Sequence, residues 1–170
     1  MINPFAKNYT EKETKIFNFL SDIPVFSGLS NKEMSEFIPF MHERNYNQNE
    51  CIYLRDDPSR AMYIIKRGEI TLTIDINESV EELSVVRGGS ALGKSCLLSG
   101  AKRQTNAVVT SEKAELYVIP QMNFFDIFDH KPGIRVKMMS ALAKEYNEFN
   151  SKLFKTYRKY YGIFELKHLY

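Results

Sequence analysis

Apolar residues follow three successive rhythms along this chain. Near the N-terminus they step by three and four. In "TEKETKIFNFLSDIPVF" the residues Ile16, Phe17 and Leu20 follow a capping residue, Thr10, and an acidic first turn. This spacing predicts a helix over about 11–21, which Pro24 ends. "LSNKEMSEFIPFM" opens on Ser30 with Glu33 three positions later, the signature of a capping box, and predicts a second helix over about 31–41. The period then shortens. "ECIYL", "AMYIIKRGEITLTID", "EELSVVRGG", "QTNAVVTSE" and "AELYVIP" are short and rich in Ile, Val, Tyr and Thr. Turn residues separate them: Asn45 and 47–49, Asp56-Asp57-Pro58, Gly68, 75–79, Gly88-Gly89, Gly100 and Ser111. Strands about ten residues apart predict an antiparallel roll, sandwich or barrel rather than alternating βαβ units.

Beyond Pro120 the period lengthens again. "QMNFFDIFDHK" predicts a short helix broken near Pro132-Gly133, and a long helix over about 133–161 follows, ended by Gly162. Its apolar positions Met139, Leu142, Tyr146, Phe149, Leu153, Thr156 or Tyr157, and Tyr160 form a heptad stripe. Such a stripe pairs with a second copy or packs on the chain's own roll. Few residues remain to cover so long a helix, so the expectation is a homodimer through Met139, Leu142, Tyr146, Phe149, Leu153, Tyr157 and Tyr160. "IFELKHLY" is a short tail. The chain is thereby divided into a helical segment 1–41, a β-region 42–120, a hinge and long helix 121–161, and a tail 162–170.

Composition narrows the class. Of 170 residues 44% are hydrophobic and 26% charged, ordinary for a globular chain with a real core, and the formal net charge of +2 implies no bulk attraction to nucleic acid or membrane. The charge is uneven. Nine Lys/Arg against three Asp/Glu from Lys131 to Tyr170 give +6, which leaves −4 for residues 1–130. Lys152, Lys155, Arg158, Lys159 and Lys167 read as a solvated helix face. The aromatic residues Tyr157, Tyr160, Tyr161 and Phe164 at the same end are expected at an interface. Cys51 and Cys96 are far apart and the three histidines are scattered, so no metal site is expected and both thiols are expected to be reduced, as in the cytoplasm. The N-terminus has no apolar signal region, and no apolar run approaches the ~18 residues that span a bilayer.

Residues 88–95, "GGSALGKS", match the Walker A pattern letter for letter. A P-loop also needs a full helix after the loop and an aspartate at the end of an apolar strand for magnesium. After Ser95 only about one helical turn precedes Ser99-Gly100, and "AELYVIP" ends in proline. A nucleotide hydrolase is therefore not expected, and no Ser-His-Asp, Cys-His or paired-carboxylate constellation appears. What remains is a glycine turn whose backbone amides can face an anion, with Arg103 ten residues after Gly93 as a candidate phosphate ligand or a plain surface arginine.

The stretch "LGKSCLLSGAKRQT" resembles the phosphate-binding cassette of the cyclic nucleotide-binding domain family, of the catabolite activator protein and protein kinase A regulatory subunit type. Leu92, Gly93, Leu97, Leu98, Gly100 and Arg103 fall in place. "IPVFSGLSNKEMSEFIPFM" is similar to the family's entry helices, and "DDPSRAMYIIKRGEITLTI" to its turn-strand-Gly-strand element, with Asp57, Tyr63 and Gly68 matching. The resemblance covers about residues 20–155. It implies an α+β fold: N-terminal helices, an eight-stranded antiparallel, jelly-roll-like β-roll, a short cassette helix, and a long C-terminal dimerisation helix.

The resemblance implies a ligand site within cassette 92–107, formed by Leu92, Gly93, Lys94, Ser95, Cys96, Arg103, Gln104 and Thr105. Arg103 would pair with a cyclic phosphate, and backbone amides around Gly93 to Cys96 and near Gln104 would complete the anion site. Lys94 stands where the family keeps a glutamate that accepts from the ribose 2′-OH; an ammonium has donors only. Three outcomes stay open. Lys94 adds charge for a ligand with more phosphate, or it turns to solvent or a carboxylate and leaves weak binding of an ordinary cyclic nucleotide such as cAMP or cGMP, or the pocket is degenerate and the domain is a dimerising scaffold. The expected function is a non-enzymatic, stand-alone, cytoplasmic regulatory module that senses a nucleotide and relays its presence through the hinge and dimer helix, with an effector protein as a possible partner. The alternative is a dimerising scaffold that binds no nucleotide. Nine residues follow Tyr161, too few for a helix-turn-helix, so sequence-specific DNA binding is not expected.

Overall fold

Two four-stranded antiparallel sheets face each other in this chain, with orders β1-β8-β3-β6 and β2-β7-β4-β5. The computed structural model describes residues 9–77 and 79–161. Helix α1 is Glu11–Ser21 and α2 is Asn31–Met34. The strands are β1 His42–Asn47, β2 Cys51–Tyr53, β3 Ala61–Arg67, β4 Glu69–Ile76, β5 Ser79–Arg87, β6 Ala91–Leu92, β7 Asn106–Val109 and β8 Lys113–Pro120. A 3-10 turn over Lys94–Leu97 follows β6, and α3 Gln121–His130 and α4 Pro132–Tyr161 close the chain. The eight-stranded roll with helices is the expected architecture.

The strands around β3 and β8 are buried on both faces, and this creates two cores. Ile65, Ile70, Ala114 and Leu116 fill the interior of the roll. Met62, Ile64, Tyr117 and Ile119 face the helices instead, where Phe17, Leu20, Phe26, Phe37, Phe124 and Phe128 cover them. Phe37 bridges that layer, with Phe26 edge-on at 5.4 Å and Phe124 at 5.5 Å between ring centroids. Aromatic pairs at such spacings add to the apolar burial itself.

Both capping boxes form, at Thr10 with Glu13 and at Ser30 with Glu33. The second helix is much shorter than its pattern suggests. It ends at Met34, and the chain resumes as a 3-10 turn over Ile38–Phe40. Pro39 is the cause: it has no N–H to bond back to residue 35, and its ring clashes with that carbonyl. Strand β1, "HERNYN", is the other departure. Asn45 reads as a turn residue, yet β1 pairs with β8 from His42↔Val118 to Asn47↔Lys113. It is a polar, largely exposed edge strand, so no apolar alternation announces it. The turn comes after it, at Asn49, whose φ is 68°.

Helix α4 begins at Pro132, one residue before the expected start, with proline at the first helical position. Its stripe divides. Ile134, Met138 and Leu142 are buried in the chain's own helical core, whereas Met139 is half-buried. Tyr146, Phe149, Leu153 and Tyr160 are exposed, Phe149 by 62% and Tyr160 by 70%, and Tyr157 is half-buried. Lys152, Lys155, Arg158 and Lys159 are exposed as expected. The expectations for Gly162, Phe164, Lys167 and the tail lie outside the described residues.

Ion pairs fasten the N-terminal helices to α4. Lys137 of α4 donates to both carboxylate oxygens of Glu33, at 2.7 and 2.9 Å. That ammonium, with the Ser30 backbone amide, draws the Glu33 carboxyl down from about 4.5 to about 2. A carboxyl whose pKa is lower folded than unfolded stabilises the fold fully above its unfolded value, and the contribution disappears as pH falls toward the folded value. Glu33→Gln should therefore flatten the decline in Tm between about pH 4.5 and pH 2 while keeping the capping geometry. An acid limb as steep as that of the wild type, measured by thermal unfolding, would refute the linkage.

Candidate ligand site in the β-roll

The site is built from β6, the turn after it, and the segment that returns to β7. Leu92 is buried and ends β6. Gly93 follows with φ 68° and ψ 26°, a left-handed conformation that caps the 3-10 turn Lys94–Leu97. A Cβ on Gly93 would lie 1.9 Å from Nη1 of Arg103 and 2.8 Å from the carbonyl oxygen of Ala61. Only glycine meets both demands, the positive φ and the close approach of the guanidinium.

Arg103 is not a surface arginine: it is 3% exposed. Backbone bonds hold its segment against the loop before β3. Its amide donates to Asp57 O at 2.8 Å, the Asp56 amide donates to Arg103 O at 3.0 Å, and the Ser59 amide donates to Ala101 O at 2.8 Å. The side chain then crosses to β3, where Nη2 donates to Ala61 O at 2.8 Å. The Tyr53 ring lies 4.2 Å from the guanidinium carbon and that of Tyr63 5.5 Å. Nε and Nη1 find no acceptor on the protein. A buried guanidinium with two unclaimed donors and no paired carboxylate is costly, and an anion would relieve it.

Beside it is a cleft of about 420 Å³, walled by Ile23, Pro24, Tyr53, Leu72, Val86 and residues 89–94. The sequence-predicted residues divide around it. Leu92, Gly93 and Lys94 line the cleft, and Arg103 packs against Gly93. Ser95 turns to Ser59, their hydroxyl oxygens 2.9 Å apart. Cys96 points into the helical core, where burial pushes its thiol up to about 12 against the opposing pull of Arg103, and its amide donates to Gly93 O within the turn. That amide is therefore not available to an anion. Gln104 is exposed, its side chain reaching only the Lys102 carbonyl at 3.5 Å. Thr105 is half-buried, and burial pushes the Tyr53 hydroxyl above its ordinary value of 10.

Lys94 turns to a carboxylate rather than to solvent. Its ammonium pairs with Oε2 of Glu145 on α4. The side chains are 30% and 21% exposed, and Oε1 of Glu145 is buried without a partner. Neither Glu145 nor Tyr53 carries a local signal in the sequence: Glu145 stands 51 residues from Lys94, and Tyr53 reads as an ordinary strand aromatic. The P-loop reading has no support here. The turn after Gly93 is four residues long, strands follow it, and its lysine faces α4. No group of three or more His, Cys, Asp or Glu that could hold a metal occurs among the described residues.

The Lys94–Glu145 pair should couple the cassette turn to α4 energetically. Unfolding of Lys94→Met, Glu145→Gln and the double variant should give an interaction energy on the order of 1 kcal/mol. A cycle that closes at zero would mean the contact contributes nothing to the fold.

The cyclic nucleotide-binding domain family matches residues 43–131, more than half of the chain. The cGMP-dependent protein kinase egl-4 of Caenorhabditis elegans is 22% identical over 140 residues, 81% of this chain and 17% of that protein. The cyclic AMP receptor protein of Thermus thermophilus is 23% identical over 131 residues, 76% of this chain and 60% of that protein. The chain thus spans less than two thirds of the length of these relatives. The regulatory domain of Toxoplasma gondii PKA with cAMP has the same fold, with a TM-score of 0.64 and 22% identity over 71% of this chain and 46% of that one. Roll, cassette turn and buried arginine accord with the match, and this chain belongs to the cyclic nucleotide-binding domain family.

Proposed function

We propose that the chain is a non-enzymatic regulatory module that binds a cyclic nucleotide in the cleft at Leu92–Lys94 and relays occupancy through α3 and α4. The observation that carries this reading is Arg103: buried, packed on Gly93, with Nε and Nη1 unclaimed. The phosphate would meet Arg103 and the backbone of Gly93 to Ser95, and Gln104 and Thr105 would flank it. Residues 42–120 would be the sensor, 121–161 the hinge and transmitting helix, and 1–41 a helical support. The relay needs a ligand whose affinity differs between two positions of α4. Glu145, which ties α4 to Lys94, gives those positions a point of difference. The exposed run Tyr146, Phe149, Leu153 and Tyr160 supports a second copy as the partner of α4. No described helix is long and apolar enough to cross a membrane, and a cytoplasmic site of action is part of this proposal.

One observation favours a second reading, a dimerising scaffold without ligand. The Tyr53 ring stacks on the guanidinium at 4.2 Å and shields its charge.

Thermal unfolding with cAMP, cGMP, a cyclic dinucleotide and ATP-magnesium separates the two. A ligand at a hundred times its Kd should add about 2.7 kcal/mol, roughly 5–10 °C in Tm. Arg103→Gln should weaken that ligand at least about tenfold, the scale of one charge-assisted hydrogen bond. No shift with any of them at millimolar concentration would leave the scaffold. For the dimer, the double variant Phe149→Asp and Leu153→Asp should shift the chain to monomer in light scattering with little change in Tm at the roll. A wild-type monomer at micromolar concentration would remove that part of the proposal.

A further inference from the structure

Three buried side-chain atoms among the described residues lack a hydrogen-bond partner, and all three surround the cassette: Nε and Nη1 of Arg103 and Oε1 of Glu145. The formal charges converging there are Arg103, Lys94 and Glu145. The neighbouring carboxylates are engaged outside it, Asp57 with the Leu54 amide and Asp56 with Arg55 at 3.8 Å. Lys102 is exposed. Lys94 follows Gly93 directly and lines the cleft, so its ammonium would be free to swing toward a bound phosphate if Glu145 did not hold it. Two cations and one carboxylate leave a balance of +1.

We infer that Glu145 is a specificity-determining residue: by cancelling Lys94 it restricts the site to ligands with a single phosphate charge and excludes phosphomonoesters and multiply phosphorylated nucleotides. The inference rests on the ligand reading above. A phosphodiester carries one negative charge, and with Arg103 it brings this enclosed site to neutrality. A phosphomonoester carries nearly two at neutral pH. Its second charge has no cation to meet, because Lys94 is held by Glu145, whose Oε1 has no donor of its own. Unpaired or like charges brought together where water is partly excluded weaken binding. The selecting residue sits on α4, so rejection of the wrong charge depends on α4 lying against the cassette.

Calorimetric titration of the full chain with cAMP and with 5′-AMP, at pH 7.5, tests this on the wild type, Glu145→Gln, Lys94→Met and the double variant. The wild type should prefer cAMP. Glu145→Gln frees the second cation and should narrow the ratio of the two Kd values at least about tenfold, chiefly through tighter 5′-AMP binding. Adding Lys94→Met to Glu145→Gln returns the balance to +1 and should restore the wild-type ratio, whereas Lys94→Met alone should weaken both ligands. Melting curves confirm that each half-exposed substitution leaves the fold intact. If cAMP binds and the ratio is the same in all four proteins, the charge-setting role of Glu145 is overturned and the ligand reading stands. If neither nucleotide binds any folded variant, the charge-setting role of Glu145 is overturned, and the ligand reading falls with it when cGMP and the cyclic dinucleotide also leave the melting temperature unchanged.

Discussion

The Arg103 guanidinium crosses from the cassette segment to the carbonyl oxygen of Ala61, and the local structure is arranged around its passage. Gly93 gives up its side chain for it, the Asp56–Ser59 backbone holds its segment in place, and the Tyr53 and Tyr63 rings lie beside it. A cation is normally brought into a protein interior with a carboxylate. Here the hydrogen bonds formed by its nitrogens end at one carbonyl. The arrangement is stable because the fold around it is over-determined: the roll interior is filled by Ile65, Ile70 and Leu116, and the helical layer seals the other face of the same strands.

Helix α4 ties the pieces together because successive segments of it meet different surroundings. Ile134, Met138 and Leu142 complete the helical core, Glu145 reaches the cassette, and the aromatic run from Tyr146 onward turns to solvent. Lys137 adds an ion pair to Glu33 of α2, and Lys131, just before α4, adds one to Glu36 in the turn after α2. Apolar packing therefore fixes the base of the helix, while the Lys94–Glu145 ion pair joins it to the cassette turn.

Local chemistry was readable in the sequence, and chemistry across distance was not. The caps at Thr10 and Ser30 act within three residues, and both formed where the letters placed them. The strand-rich middle and the glycine turn at Gly93 were equally visible. Pro39 lies within the apolar spacing that predicts the second helix and overrides it, so that helix is one turn instead of three. Strand β1 escaped because an edge strand open to water needs no apolar alternation; its hydrogen bonds to β8 are what make it a strand. The stripe on α4 was assigned a heptad period through Met139, yet the buried residues step by four, Ile134 to Met138 to Leu142, as a helix resting on a globular core requires. At the site, Gly93 and Arg103 belong to one motif and could be found together. Glu145 could not, since only the folded chain brings it to Lys94, and the same holds for Tyr53 over the guanidinium.

The length of α4 has a mechanical consequence. The helix runs for 30 residues, and among those described its fully buried apolar side chains end at Leu142, with Glu145 reaching the cassette one turn later. At 1.5 Å per residue, the stretch beyond Leu142 projects by roughly 30 Å. A tilt of about 10° at its base would carry the far end sideways by roughly 5 Å, about the height of one helical turn. Such a tilt about Ile134 and Met138 would be magnified at Tyr160, so the helix has the proportions of a lever pivoted on the hydrophobic core.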